Sequence, residues 1–334
     1  MRILVTGGAG FIGSNFIRLI LRERPDWEIV NFDLLTYAGN LNSLADIDCN
    51  PKYSFIKGDI ANSADVTKAF ELPIDIVINF AAETHVDKSL YEPQTFLRTN
   101  VLGVAILLEK AMKSSVSRFV QISTDEVYGS IPDSKFACES DILKPSSPYA
   151  ASKASADMLA LSFFSTYGFP VIITRSANNY GPFQFPEKVI PFFIVEALKG
   201  DHLPLYGKGS NIRNWIHVDD NCRAILTALE SGVEGEIYNI GSDNNIDNLS
   251  LTKMLLKRLD LSENRIKFVD DRPGHDYRYA LDSSRIRNLG WKPEIDFSDG
   301  LTATVQWYLL HQDWWQTILS GDHKKFYEDH YKNR

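Results

Sequence analysis

Cysteine is scarce in this sequence, and it has no long apolar run and no excess of positive charge. Cys49, Cys138 and Cys222 are far apart and odd in number, which predicts neither a disulfide framework nor a zinc site and fits the reducing cytoplasm. No apolar run approaches the ~20 residues of a membrane span. The net charge of −8 gives no basis for a nucleic-acid or membrane partner. The N-terminus lacks a charged leader with a cleavage site, so we expect no secretory signal.

What the sequence has is the pattern of a globular α/β protein. Its 334 residues predict about two domains, and 44% hydrophobic and 23% charged residues are ordinary values. Short apolar runs alternate with segments of helical length in the first half, and this alternation predicts parallel crossovers and a doubly wound parallel sheet of Rossmann type. The predicted strands are residues 2–6, 28–32, 53–57, 74–80, 118–123 and 171–175, and the predicted helices are residues 13–22, 63–70, 96–112 and 149–167.

A glycine-rich turn follows the first predicted strand. Residues 8–13 read G-x-G-x-x-G, and the turn leads directly into a predicted helix. Glycines let backbone N–H groups approach a pyrophosphate, and the helix N-terminus favours its negative charge. Asp33 lies twenty residues after Gly13, where a carboxylate accepts hydrogen bonds from a ribose and repels a 2′-phosphate. The pattern predicts a dinucleotide site that prefers NAD to NADP.

Two further strand ends are candidates for the same site, because parallel sheets bind ligands at the carboxyl ends of their strands. Asp59 follows the third strand, and it is equally well explained as the N-cap of the next helix. Ala81 and Ala82 follow the fourth strand, where small side chains allow close approach of a ligand.

The fifth strand and the helix after it carry reactive side chains. Tyr149 and Lys153 are four residues apart and therefore lie on one helix face. A nearby positive charge favours tyrosinate, which can take a proton from an alcohol while hydride leaves for a nicotinamide. Thr124, Asp125 and Glu126 stand at the end of the fifth strand, and two carboxyl groups in opposite protonation states could remove water next to the new ketone.

Several motifs together resemble the extended short-chain dehydrogenase/reductase family, and within it the nucleotide-sugar 4,6-dehydratases. The resemblance covers nearly the whole chain. It is carried by the glycine turn, by Asp59, by the Tyr149/Lys153 pair, and by residues 35–40, 82–87, 123–129, 178–182, 185–188 and 271–276. It implies a lyase with tightly bound NAD that acts on a sugar nucleotide, dTDP-glucose above all, in deoxysugar synthesis such as that of rhamnose. The implied steps are oxidation at C4, loss of water across C5 and C6, and return of hydride to C6.

The resemblance also implies roles for single residues. Tyr149 with Lys153 is the base for oxidation, Thr124 binds the C4 oxygen, Asp125 is the acid and Glu126 the base for dehydration. Residues 1–177 are expected to bind NAD and carry the catalytic residues, while residues 178–334 form mainly a smaller mixed α/β sugar-nucleotide lobe with some segments returning to the main domain. The implied NAD contacts are Gly7, Gly10, Phe11, Ile12, Gly13, Asp33, Leu34, Leu35, Thr36, Asp59, Ile60, Ala81, Ala82, Thr99, Tyr149 and Lys153. The implied substrate contacts are Thr84, His85, Thr124, Asn178, Glu187, Lys188, Val189, Pro204, Tyr206, Arg213, Asn245, Arg272 and His275.

Departures from the family pattern leave alternatives open. Asn214 stands where the family often has Asp, and the loop of residues 241–248 is shorter than usual. The base is therefore open between thymine and uracil, and the alternatives are a UDP-glucose dehydratase, a nucleotide-sugar epimerase or a non-enzymatic NAD sensor. The helices at residues 102–112 and 149–167 carry more apolar residues than one buried stripe needs. The resemblance implies a homodimer through a four-helix bundle, and deeper burial within one subunit is the alternative. We expect no metal.

Overall fold

The computed structural model describes residues 1–319. Within this range, twelve strands form one large and two small sheets. They are β1 Arg2–Thr6, β2 Glu28–Asp33, β3 Tyr53–Lys57, β4 Ile76–Asn79, β5 Arg118–Thr124, β6 Val171–Ser176, β7 Asn178–Tyr180, β8 Leu203–Tyr206, β9 Ile212–His217, β10 Ile237–Ile240, β11 Asn245–Asp247 and β12 Ile266–Val269.

The helices cover both faces of the large sheet and build most of the smaller lobe. They are α1 Phe11–Glu23, α2 Ser63–Ala69, α3 Val86–Tyr91, α4 Pro93–Leu97, α5 Val104–Lys113, α6 Pro148–Tyr167, α7 Val189–Lys199, α8 Val218–Ser231, α9 Asn248–Arg258, α10 Ser284–Arg287, α11 Phe297–Leu310 and α12 Gln312–Leu319. Single 3-10 turns occupy Leu41–Leu44, Asp125–Tyr128 and Glu263–Arg265, and a π-helical segment spans Arg98–Gly103.

The large sheet is parallel throughout, with the strand order β10-β6-β5-β4-β1-β2-β3. Its strands other than the edge strand β3 are largely apolar and almost fully buried, as expected for a sheet with helices on both faces. The strand order reverses between β1 and β4, which is the point where such sheets bind ligands. The predicted Rossmann-type α/β fold is confirmed.

Residues after 177 build two small sheets, β11-β9-β7 and β12-β8, around a separate apolar core. β10 instead pairs with β6 in the large sheet, and α8 packs beside α1. The second half of the chain therefore contributes to both parts of the molecule.

One predicted element differs in kind. A single helix was expected over residues 96–112, but α4, the π-helical segment Arg98–Gly103 and α5 follow one another there. The wider π turn carries Asn100, whose buried amide binds the backbone N–H and C=O of Glu83 and the Ser152 hydroxyl. None of the helices within residues 1–319 is both long and apolar enough to cross a membrane.

α6 carries two of the predicted catalytic residues, and its first turn is strongly fixed by sequence. Ser147 caps the helix by accepting from the Ala150 N–H, and Pro148 occupies the first helical position. Gly168 ends the helix in the left-handed conformation. Tyr149 and Lys153 are therefore held on the first two turns, directly over β5.

Candidate active site

A cavity of about 340 Å³ lies at the carboxyl ends of the central strands. Every predicted NAD contact except Leu35 lines it, as do all five predicted catalytic residues. Leu35 has a left-handed backbone with φ of 57°, in the turn after β2, and lies outside this lining. The sequence pattern therefore predicted the residues that line the cavity, but not the left-handed backbone at Leu35.

The glycine turn packs too tightly for side chains at three of its positions, Gly7, Gly8 and Gly13. A Cβ on Gly7 would lie 2.6 Å from the backbone N of Ala81, and one on Gly13 would lie 2.4 Å from the Gly7 carbonyl oxygen. α1 begins at Phe11, and its N-cap Gly10 offers no side chain to bind the first N–H groups. Because this helix end lines the cavity, those N–H groups can bind an anion there.

Asp33 is buried at the end of β2 and lines the same cavity. Its two carboxylate oxygens accept from the backbone N–H groups of Ala9, at 2.9 Å, and of Leu35, at 2.8 Å. Burial raises the pKa of this carboxyl group, and the two N–H groups oppose that rise. Asp33 thus holds the glycine turn and the next loop together at the cavity edge.

The structure excludes one of the two interpretations of Asp59. Asn62, not Asp59, is the N-cap of α2, because its side chain accepts from the N–H groups of Ala64 and Asp65. Asp59 instead lines the cavity, where it accepts from the Ala61 N–H at 2.8 Å and pairs with Arg98 at 2.6 Å. The N-cap interpretation is wrong.

The catalytic candidates meet at the end of β5. The 3-10 turn that begins at Asp125 is capped by the Thr124 hydroxyl, which accepts from the Glu126 N–H at 3.3 Å. The same hydroxyl donates to Asp125 Oδ1 at 3.3 Å. Opposite, the Lys153 ammonium donates to the Ile122 carbonyl on β5 at 2.6 Å. The cluster is therefore one compact site rather than five separate side chains.

Burial changes the acidity of each of these groups. It raises the pKa of Asp125 to about 8, with a further rise from the charge of Glu126. Burial also raises the pKa of Glu126, but the cations Arg272, Lys188 and Arg213 oppose it. Both carboxyl groups therefore have raised pKa values, and the nearby cations oppose the rise at Glu126.

The Tyr149 phenol and the Lys153 ammonium respond to burial in opposite directions. Burial, and then the charge of Glu126, raises the pKa of Tyr149, while a hydrogen bond with Thr124 opposes the rise. Burial lowers the pKa of Lys153 to about 8. The cavity carboxylates therefore oppose the tyrosinate that the sequence pattern predicts, and nearby positive charge would favour it.

A second cavity of about 210 Å³ adjoins the first, and Glu126 lines both. Its lining includes the cations Lys188, Arg213 and Arg272, the carboxylates Asp87, Glu126 and Glu187, and several apolar side chains. The predicted substrate contacts that line it are His85, Asn178, Glu187, Lys188, Val189, Pro204, Tyr206, Arg213, Arg272 and His275. Thr84 and Thr124 line the first cavity.

Asn245 is the predicted substrate contact that lies outside both cavities. It pairs with Asn214 across the β11–β9 ladder, and its side-chain oxygen accepts from the Asn214 amide at 3.1 Å. Asn248, at the start of α9, lines the second cavity in its place. The pairing of β11 with β9 therefore determines which asparagine lines the cavity, and the length of the loop in the sequence does not reveal that pairing.

Sequence reasoning missed several residues that line the second cavity. Tyr279 is buried there, its hydroxyl donates to Asp276 at 2.8 Å, and Arg213 lies over its ring at 4.2 Å from the centroid. Its position three residues after the end of the motif at residues 271–276 was the available signal. Asp87, Phe192 and Trp215 also line this cavity. Within residues 1–319, no group of three His, Cys, Asp or Glu side chains is placed to hold a metal ion.

Known proteins resemble this chain in both sequence and structure. A sequence profile of the GDP-mannose 4,6 dehydratase family matches residues 4–304. The chain belongs to this family. Among curated members, it is 46% identical over 327 residues to a dTDP-glucose 4,6-dehydratase of Streptomyces niveus, covering 96% of this chain and 97% of that protein. It is 49% identical over 309 residues to the low-salt glycan biosynthesis protein Agl12 of Haloferax volcanii, with 92% and 99% covered.

The solved structures agree with the sequence relatives. The family member DesIV, a dTDP-glucose 4,6-dehydratase from Streptomyces venezuelae crystallised with NAD, superposes with a TM-score of 0.93 at 48% identity. The match covers 95% of this chain and 100% of that one. The predicted resemblance to the extended short-chain dehydrogenase/reductase family and its 4,6-dehydratases is confirmed.

Proposed function

We propose that the protein is a dTDP-glucose 4,6-dehydratase, a hydro-lyase that uses tightly bound NAD. The observation that carries this function is the pair Asp125 and Glu126, held in one cavity with Tyr149 and Lys153 and bordered by a second cavity that has cations in its lining. An epimerase has no use for two carboxyl groups at the end of β5, and an NAD sensor has no use for the whole cluster. Relatives of that activity match this chain over almost its full length.

The first cavity fits NAD. The uncapped start of α1 offers N–H groups to a diphosphate, and a Cβ on Gly10 would meet a neighbour within 4 Å only at the Gly7 carbonyl oxygen, which leaves room for a ligand. Asp33 supplies the carboxylate for an adenosine ribose, and Lys153 an ammonium for the other end. Bound NAD would supply the hydride acceptor for C4 oxidation and the hydride donor for C6.

The side chains account for the proton movements. Tyr149 takes the proton of the C4 hydroxyl, and Thr124 donates a hydrogen bond to the C4 oxygen. Glu126 removes the C5 proton, which the C4 ketone has made acidic. Asp125 gives its proton to the departing C6 hydroxyl, so that water leaves. A pKa of about 8 keeps Asp125 protonated at neutral pH, as an acid must be.

The second cavity would hold the nucleotide. Arg213 and Arg272 are the cations for the diphosphate, because guanidinium groups bind phosphate oxygens in a fork. Pro204, Tyr206 and Val189 give a flat, largely apolar wall for the base. We assign residues 1–177 to NAD binding and catalysis and the later residues mainly to the sugar nucleotide, with α8 and β10 returning to the main domain. The end of the second region, after residue 319, lies outside the described residues.

We also propose a homodimer through α5 and α6. The two helices pack together, yet Leu102 just before α5 is 52% exposed and Met158 on α6 is 48% exposed. Apolar surface of this kind on adjacent helices suits a four-helix bundle between two subunits. The three cysteines are unpaired, which fits the reducing cytoplasm as the site of action.

The test is incubation of the purified protein with dTDP-glucose, and separately with UDP-glucose, without added reductant. Mass spectrometry should show loss of one water from the dTDP sugar. Loss from the UDP sugar alone would keep the mechanism and change the base. An unchanged mass with both, in protein shown to bind NAD, would contradict the dehydratase and favour an epimerase or a sensor.

A further inference from the structure

Behind the catalytic cluster lies a buried ion pair. Asp157 on α6 and Arg175 on β6 are both about 1% exposed or less, and the Arg175 Nε donates to Asp157 Oδ2 at 2.8 Å. Arg175 Nη1 donates to the Tyr128 hydroxyl at 2.8 Å, and that hydroxyl donates to Asn239 Oδ1 at 2.8 Å. The network ties α6 to two strands of the large sheet and to the 3-10 turn that carries the cavity carboxyl groups.

Stability alone is a weak explanation for this pair. Replacing a buried ion pair by well-packed apolar side chains is often neutral or stabilising, because desolvation of the two charges offsets their attraction. The contact is also incomplete, since Asp157 Oδ1 and Arg175 Nη2 have no hydrogen-bond partner among residues 1–319. Burial raises the pKa of Asp157, but the charge of Arg175, the hydrogen bond from Arg175 and the charge of a neighbouring cation oppose that rise.

That neighbour is Lys153. Asp157 follows it by four residues, one turn further along the same helix face. Lys153 is 5% exposed, and burial lowers its pKa to about 8, while the charge of Asp157 opposes that change. Arg175 lies directly beside Ser123, on the strand next to the one whose Ile122 carbonyl binds the Lys153 ammonium. Asp157 therefore lies one helical turn from the lysine, and Arg175 lies on the strand next to the one that binds its ammonium.

The remaining titratable and charged groups around Lys153 lie on its own helix and on the 3-10 turn after β5. Tyr149 precedes it on α6, Asp125 and Glu126 face the cavity from the end of β5, and Tyr128 contacts Arg175 from the same turn. The negative charge of Glu139 contributes to the raised pKa of Tyr128. Asp157 is the carboxylate that sits under Lys153 on its own helix, on the side away from Tyr149.

We propose that Asp157, anchored by Arg175, is a positioning residue whose negative charge stabilises the Lys153 ammonium at the wall of the cofactor cavity. The role of Lys153 rests on the proposed function, but the charge state of its side chain does not. Without Asp157 the buried amine loses its proton at lower pH, and the site then lacks the cation that favours tyrosinate and binds a ribose.

The test measures the lysine directly. Lysine ε-carbons are labelled with carbon-13, the Lys153 resonance is assigned by its loss in Lys153→Met, and the protein is titrated by NMR. In Asp157→Asn we expect the Lys153 titration to move down by about one pH unit. An unchanged Lys153 titration in this variant would overturn the proposal, whatever the activity.

The double variant Asp157→Asn with Arg175→Met separates charge from structure. It leaves no unpaired buried charge, so its stability should exceed that of Asp157→Asn. The Lys153 titration should still move down, by less, because the opposing charge of Arg175 has gone as well. A purely structural pair predicts instead that the restored stability brings back the wild-type titration. If Asp157→Asn does not fold, the Lys153 titration of the double variant alone distinguishes the two explanations. Neither titration depends on the reaction with dTDP-glucose.

Discussion

The Arg272 guanidinium donates a 2.7 Å hydrogen bond to Asp87 Oδ1, joining two segments that are 185 residues apart in the sequence. Both side chains line the second cavity, and the Tyr206 hydroxyl donates to the other oxygen of Asp87 at 3.2 Å. Burial raises the pKa of Asp87, but Arg272 outweighs it, so the pKa falls below its ordinary value. The carboxylate is thus ionised when it orients the proposed diphosphate cation.

The first prediction concerns this pair. Asp87→Asn should raise KM for the sugar nucleotide by about tenfold with little change in kcat, because the guanidinium loses its ionic anchor while the reacting groups are untouched. Steady-state kinetics give both constants. Glu92→Gln is the matched control, because Glu92 is an exposed carboxylate just after α3, the helix that carries Asp87. A fall in KM would show that Asp87 competes with the substrate for Arg272.

The second prediction concerns the dehydration base. Glu126→Gln keeps the size of the side chain but cannot accept the C5 proton, so we expect turnover to fall by about 10²- to 10⁴-fold. Oxidation at C4 should persist, and reduced nicotinamide absorbance should therefore accumulate after substrate is added. Full activity without any absorbance change would refute the role given to Glu126.

The third prediction uses the acidity of Asp125. Its pKa of about 8 lies above the ordinary value of 3.8, so the acid form, and with it the dehydration rate, should be lost as the pH rises through about 8. Asp125→Asn should lower the rate and remove this alkaline limb. A limb that persists in the variant would belong to another group, such as Lys153.

The same shift predicts a stability change of known sign. A folded pKa above the unfolded value contributes stability that is complete below about pH 4 and lost as the pH rises towards 8. Asp125→Asn removes the cost of a buried carboxylate, so its melting temperature relative to the wild type should be higher at about pH 9 than at about pH 5. Thermal unfolding at the two pH values tests this, and an equal difference at both would contradict it.

The fourth prediction concerns the subunit contact. Met158→Glu places a charge on the half-exposed face of α6 and should convert a dimer into monomers at micromolar concentration, as measured by light scattering. Ile142→Glu is the control, because Ile142 is 79% exposed and lies outside both proposed interface helices. Equal masses for the wild type and Met158→Glu would remove the proposed bundle.

Local sequence patterns predicted the parts of this protein that depend on neighbouring residues. The glycine turn, the Tyr149/Lys153 spacing and the carboxyl pair after β5 are each contained within a few residues, so their geometry follows from one strand end or one helix face. Tyr279 and Asn248 belong to the second cavity because two small sheets bring distant segments together. Asn245, a predicted substrate contact, lies outside the lining of both cavities, where it pairs with Asn214 in the β11–β9 ladder.

The single proton of the Thr124 hydroxyl has a consequence for how the site responds to its ligand. That proton is donated to Asp125 Oδ1, and hydrogen bonding to Thr124 lowers the pKa of Asp125. A hydroxyl has one proton to donate, so a sugar oxygen that accepts it takes it away from Asp125. The arrival of substrate would then tip Asp125 further towards its protonated form. Substrate binding would therefore increase the protonated fraction of Asp125, the form that can donate a proton to the departing hydroxyl.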